Sequence, residues 1–113
     1  MHELGIVIEV VKTVEKFAIE NKLTTIDTVT LQVGELSSMV PHYIEEVYPI
    51  AVENTLLENT QLKIEMLPGI GRCINCSHTF NLIQHKNKCP KCNNKKWEVV
   101  SGREFFIKDV IAY

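Results

Sequence analysis

Four cysteines fall into two pairs, Cys73-Ile-Asn-Cys76 and Cys89-Pro-Lys-Cys92, with twelve residues between the pairs. Two residues within a pair let a tight turn aim both sulfurs at one ion, and a hairpin-length spacer carries the second pair into tetrahedral position. Four thiolates close the coordination shell, which points to a structural ion, since a catalytic one keeps an open position. Zinc is the expected ion. The same sulfur set also admits a rubredoxin-like iron, and in an oxidising compartment the four residues would form two disulfides. His78 and His85 lie close enough in sequence to replace a cysteine, but four thiolates already satisfy the ion, so both are read as solvated or outlying groups. A segment this small has little core of its own, and metal binding should supply much of its folding free energy.

Charge sets the same segment apart. Arg72 to Trp97 holds six of the twelve basic residues and none of the fourteen acidic ones. It therefore reads as an insertion, a ribbon over 71–97 within a discontinuous α/β domain formed by 1–70 and 98–113. At 113 residues and 45% apolar composition the chain has material for one principal core. The net charge of −2 names no partner. No apolar run approaches the roughly 18 residues needed to span a bilayer, so no membrane role is expected. The start, Met1-His2-Glu3, lacks a secretory n-region. A cytoplasmic, reducing address follows, and it redirects the cysteines from disulfides toward metal.

Periodicity outlines the rest. Leu4, Val7, Ile8, Val11, Val14 and Ala18 share one stripe of a helix over 4–20, whose β-branched content demands support from packing against a sheet. Val29, Leu31 and Val33 alternate with Thr28, Thr30 and Gln32 in a strand over 26–33 that Gly34 closes. Pro41 opens a second helix, with Ile44, Val47 and Ala51 on its buried side, and Pro49 should kink or split it. Leu62, Ile64 and Met66 alternate in a strand that stops at Pro68 and Gly69. The last strand covers 103–111, with Phe105, Ile107 and Ile111 on one face. The fold class is α+β: a small mixed sheet with helices on one face and an inserted four-cysteine zinc ribbon.

At the amino terminus, the His2 imidazole, the α-amino group of Met1 and nearby backbone nitrogens can chelate one ion in contiguous rings, a donor set suited to nickel or copper. On its own an early histidine is more often a solvated side chain on a frayed end, and Glu3 more often a helix-start carboxylate facing the macrodipole.

The pattern as a whole resembles the hydrogenase nickel-incorporation proteins of the HypA/HybF family. The resemblance rests on Met1-His2-Glu3-Leu4 opening a helix, Val33-Gly34-Glu35-Leu36-Ser37 closing the first strand, the two cysteine pairs, and Ser101-Gly102-Arg103-Glu104 starting the last strand. It implies a nickel metallochaperone, not an enzyme. His2 and the Met1 amine bind Ni(II), Glu3 supports the site or the transfer, and Cys73, Cys76, Cys89 and Cys92 hold structural zinc. The implied partners are a HypB-like GTPase of hydrogenase maturation and the hydrogenase large-subunit precursor, and some members also serve urease. Position 40 departs from the pattern, because certain members carry an acid there and this chain has Val40; His42 lies two residues on, but an early-helix histidine is more often simply solvated. Terminal ligands suit reversible binding, and protonation of His2 should weaken it. The rivals are a zinc-ribbon adaptor for nucleic acid or protein, motivated by the lysines from Lys86 to Lys96 and by Trp97, and a metalloenzyme, for which no open site or paired base is present. No nucleic-acid partner is expected.

Overall fold

A computed structural model describes residues 3–113. The predicted histidine–amine site at Met1 and His2 lies outside the described residues. Eight elements follow in order: α1 (Glu3–Glu20), β1 (Ile26–Gly34), α2 (Pro41–Val52), β2 (Gln61–Leu67), β3 (Ile70–Cys73), β4 (Thr79–Asn81), β5 (Trp97–Ser101) and β6 (Phe105–Ala112). They form two three-stranded sheets, β2-β1-β6 and β4-β3-β5. β1 pairs parallel with β2 and antiparallel with β6, so the first sheet is mixed as expected. No helix among the described residues is long and apolar enough to cross a membrane.

One core joins α1 and α2 to the first sheet. Val7, Val11, Val14 and Ala18 of α1, and Ile44, Val47, Ala51 and Val52 of α2, pack with Val29, Leu31 and Val33 of β1. The stripe anticipated for α1 is the one buried, and tertiary packing offsets the weak propensity of its valines and isoleucines. β1 is the central strand, flanked on both sides, and its off-face residues Thr28 and Thr30 are buried too.

Two sequence expectations are corrected. Pro49 does not split α2, which runs unbroken from Pro41 to Val52. The proline stands in the last turn, where only three residues follow it and the single amide it removes interrupts little. Ile111 does not share a face with Phe105 and Ile107. Thr30 pairs with Asp109 and Leu31 with Ile107, which leaves Lys108 as an extra residue. That bulge reverses the side-chain parity. Val110 and Ala112 reach the core instead, and Ile111 is exposed.

The molecule is extended, 54 × 27 × 16 Å, with a radius of gyration of 17.6 Å. A compact chain of this length would have about 13 Å. The two sheets meet where the Val33–Ser37 and Ser101–Glu104 motifs come together. Gly34 donates to the Glu104 carbonyl at 2.7 Å, Glu35 to the Leu67 carbonyl at 2.9 Å, and Leu36 to the Gly102 carbonyl at 2.7 Å. The Glu35 carboxylate accepts the Gly69 N–H at 2.7 Å and the Asn81 side-chain amide at 3.1 Å, so it spans both sheets. Leu36 then packs into the core of the second sheet.

This crossing requires glycine. Gly102 has φ +105°, and a Cβ at Gly34 would run into the Gly102 carbonyl. Gly34→Ala should therefore destabilise the protein by about 1–3 kcal/mol, measured by urea unfolding. A neutral result would mean that the crossing relaxes freely.

Tyr48 supplies a pH-dependent element. Its hydroxyl donates to the Thr60 carbonyl at 2.9 Å, and Thr60 Oγ1 donates to the Ile26 carbonyl at 2.7 Å. Burial pushes the phenol from its ordinary 10.0 up to about 12. In that interval the unfolded chain has lost the proton and the folded chain keeps it. Stability should be unaffected below the lower value and fall as pH rises through the window. Tyr48→Phe should remove this alkaline loss and cost about 1 kcal/mol near neutrality, read from unfolding curves at both pH values.

Candidate metal centre

Two backbone turns built alike present the cysteines. In the first, the Cys73 N–H donates to the His78 carbonyl at 2.9 Å and the Ser77 N–H to the Cys73 carbonyl at 2.9 Å. In the second, Cys89 donates to the Asn94 carbonyl at 3.0 Å and Asn93 to the Cys89 carbonyl at 2.8 Å. Each turn closes on a residue of positive φ four positions after its first cysteine, Ser77 at 61° and Asn93 at 62°. The Cys-x-x-Cys repeat is thus also a repeat of backbone geometry, in which each turn points its sulfurs inward.

All four sulfurs lie within 4.8 Å of one another. Cys73 Sγ is 3.5 Å from Cys92 Sγ, and Cys76 Sγ is 3.6 Å from Cys89 Sγ. A tetrahedral zinc with sulfurs at 2.3 Å needs edges of about 3.8 Å, so this cluster matches that donor set with little movement. The cysteines are free thiols, which sets aside the disulfide alternative. Cys73 and Cys89 are buried and Cys76 and Cys92 partly exposed.

The thiols differ in acidity. The backbone hydrogen bond at Asn94, and then the Cys73 thiol, pull Cys92 down to about 6. At Cys76 a backbone hydrogen bond at His78 lowers the value, yet desolvation and the neighbouring thiols outweigh it and push the group up to about 11. Four sulfurs this close cannot all ionise without a cation between them.

Little else holds this end together. The buried cluster consists of Cys73, Phe80, Leu82 and Cys89, with Leu36, Trp97 and Val99 against it. The Trp97 indole donates to the Asn87 carbonyl at 3.0 Å. The histidines stay outside the sulfur cluster: His78 is exposed, and the His85 ring packs edge-on against Phe80 at 6.2 Å. Sequence reasoning missed Asn75, whose side-chain amide reaches Cys92 Sγ at 3.8 Å, and all three strands of the second sheet, β3, β4 and β5. The only signal for Asn75 was its place inside the first pair.

In the helix–sheet layer, Glu3 is 3% exposed in the first turn of α1. Its Oε2 accepts the N–H of Val40, the residue before α2, at 3.3 Å. No side chain caps α2 at Val40, so the Glu3 carboxylate supplies negative charge to the starts of both helices. Position 40 therefore does adjoin the amino-terminal end, but through its backbone. His42 is 72% exposed with Nε2 3.0 Å from Glu46 Oε1, and it is engaged along its own helix.

Fold and thiols together define a two-part α+β protein with a four-cysteine metal site at one end. The family model described as hydrogenase/urease nickel incorporation, metallochaperone, hypA matches residues 1–112. The hydrogenase maturation factor HypA of Dehalococcoides mccartyi strain 195 is 36% identical over 110 residues, covering 97% of this chain and 92% of that protein. That of Geobacter metallireducens is 37% identical over 110 residues, covering 97% of each. Two solution structures share the fold at 24% identity. The Ni metallochaperone HypA from Helicobacter pylori has a TM-score of 0.67, covering 99% of this chain and 97% of that one. A second HypA protein has a TM-score of 0.71, covering 100% and 97%. The chain belongs to the HypA family of nickel-incorporation metallochaperones that serve hydrogenase maturation.

Replacing one sulfur should separate the two ends. Cys89→Ser should lose the metal and the amide-exchange protection over 70–101 while β1, β2 and β6 stay protected, as read by metal analysis and hydrogen exchange. Protection unchanged after metal loss would show that the ribbon folds without its ion.

Proposed function

We propose that this chain binds Ni(II) through the Met1 amine and His2, with Glu3 supporting the site, and delivers it in the cytoplasm during maturation of a [NiFe]-hydrogenase. Cys73, Cys76, Cys89 and Cys92 hold a structural zinc in the ribbon inserted into the nickel-binding domain, and the ribbon's sheet runs past residue 97 to Ser101 through β5. The observation that carries the nickel reading is the anchoring of Glu3. Its buried carboxyl group accepts the Val40 N–H, so the residue that directly follows His2 in the sequence is held against the start of α2.

The two sites divide the labour by their chemistry. Four converging thiolates retain an ion, whereas ligands on a chain end release one by moving a few residues. Imidazole and amine nitrogens favour nickel, and the carboxylate offsets its charge. A HypB-like GTPase and the hydrogenase large-subunit precursor are the partners in this reading, with urease as a further client.

Calorimetric nickel titration tests it. His2→Ala, and separately one extra residue before Met1, should each lower nickel affinity at least about tenfold while zinc content stays at one per chain. Nickel affinity that survives both changes would overturn the proposal.

A further inference from the structure

The ribbon carries a basic surface that its own fold leaves uncompensated. Among the described residues none of Lys86, Lys88, Lys91, Lys95 and Lys96 has a carboxylate within ion-pair distance, and all five are exposed. Outside the ribbon Lys12, Lys16 and Lys108 lie 3.8, 3.9 and 2.7 Å from Glu9, Glu20 and Glu65, while among the described residues Lys22, Lys63 and Arg103 also stand without an ion pair; within the ribbon Arg72 alone has one, with Glu98 at 3.1 Å. The separation is complete in one respect, because no acidic residue occurs from Arg72 to Trp97.

Three of these lysines belong to the second cysteine turn and its exit, whose backbone bonds the first turn at an exposed apolar residue. Ile74, in the first turn, is 65% exposed. Its N–H bonds the Lys96 carbonyl at 3.1 Å. Its neighbour Asn75 reaches Cys92, which follows Lys91. Lys95 and Lys96 leave the second turn beside it. An exposed isoleucine on a turn whose backbone bonds the lysine-bearing second turn combines an apolar anchor with nearby cationic chain, as protein interfaces do.

From this arrangement we infer that the tip formed by Ile74, Lys91, Lys95 and Lys96 docks on an acidic protein face with an apolar centre. The inference goes beyond nickel binding and does not depend on it. Nucleic acid fits poorly. Neither large aromatic of the ribbon is a free stacking platform, because Phe80 is buried and Trp97 is half-buried. The rest of the chain carries −8, which repels a polyanion, and zinc with four thiolates would trim the ribbon from +6 to +4. A protein face needs only local acidity, and it alone gives Ile74 a counterpart.

The full zinc-loaded chain is titrated with three probes: a Glu-rich helical peptide bearing a leucine stripe, polyglutamate, and single- and double-stranded DNA. Trp97 fluorescence and amide chemical shifts give the readout. The leucine-striped peptide should bind tightest and shift the amides of residues 74, 91, 95 and 96. The Lys95→Glu/Lys96→Glu pair should weaken it about tenfold or more, and Ile74→Ser should reduce it to the polyglutamate level, both with zinc content unchanged. Should either variant lose zinc, Lys96→Gln and Ile74→Ala replace it. Tighter binding to DNA with a steep salt slope, shifts located elsewhere, equal binding of both peptides, or sedimentation showing that the tip pairs with a second copy would each overturn the inference.

Discussion

The crossing of Gly34–Leu36 with Gly102–Glu104 is the constraint on which the two-part structure depends. Backbone bonds at 2.7 Å on either side of Glu35 fix the end of β1 against the chain returning from the ribbon. Leu36 leaves that crossing to enter the second core, and the Glu35 carboxylate holds both Gly69 and Asn81. A domain with few buried residues of its own is thereby oriented by its neighbour. The same loop continues through Ser37 and Met39 to Val40, whose N–H meets Glu3. One short stretch of chain thus touches the ribbon at one end and the start of α1 at the other.

Different forces stabilise the two ends. The helix–sheet layer has an ordinary apolar core, with Val7, Leu31, Val33, Ile44 and Leu57 essentially sealed from water. The ribbon buries only Phe80 and Leu82 beside two of its cysteines. Its geometry rests on two matching turns and on four sulfurs that repel one another once ionised. A cation at their centre turns that repulsion into cohesion, which is why the cluster reads as structural. The amino-terminal end has the opposite character. Its carboxylate is buried and anchored, and the candidate ligands lie at the end of the chain.

Charge follows the same division. The helix–sheet part carries every acidic side chain but Glu98 of β5, which pairs with Arg72 at 3.1 Å, and Glu35 and Glu104 in the crossing. The lysines of the ribbon remain without such partners. Segregation of this kind costs some folding stability through self-repulsion and is retained where a surface meets something of opposite sign.

Sequence alone determined the features set by local chemistry. The cysteine spacing specified the sulfur cluster, the 3.6-residue stripe specified α1, and strand alternation specified the core face of β1 and, at Leu62 and Ile64 though not at the exposed Met66, that of β2, because each depends on neighbours a few positions away. Tertiary structure decided what depends on distant partners. The bulge at Lys108 moved Ile111 out of the core, since strand parity is fixed by pairing with β1 and not by β6 itself. Pro49 was tolerated because of its place at the end of a packed helix. Glu3 met Val40 across 37 residues, and the motifs around Gly34 and Gly102 proved to be two halves of one crossing. Those contacts carry no local signature, since a hydrogen bond between segments far apart leaves no period or spacing to read.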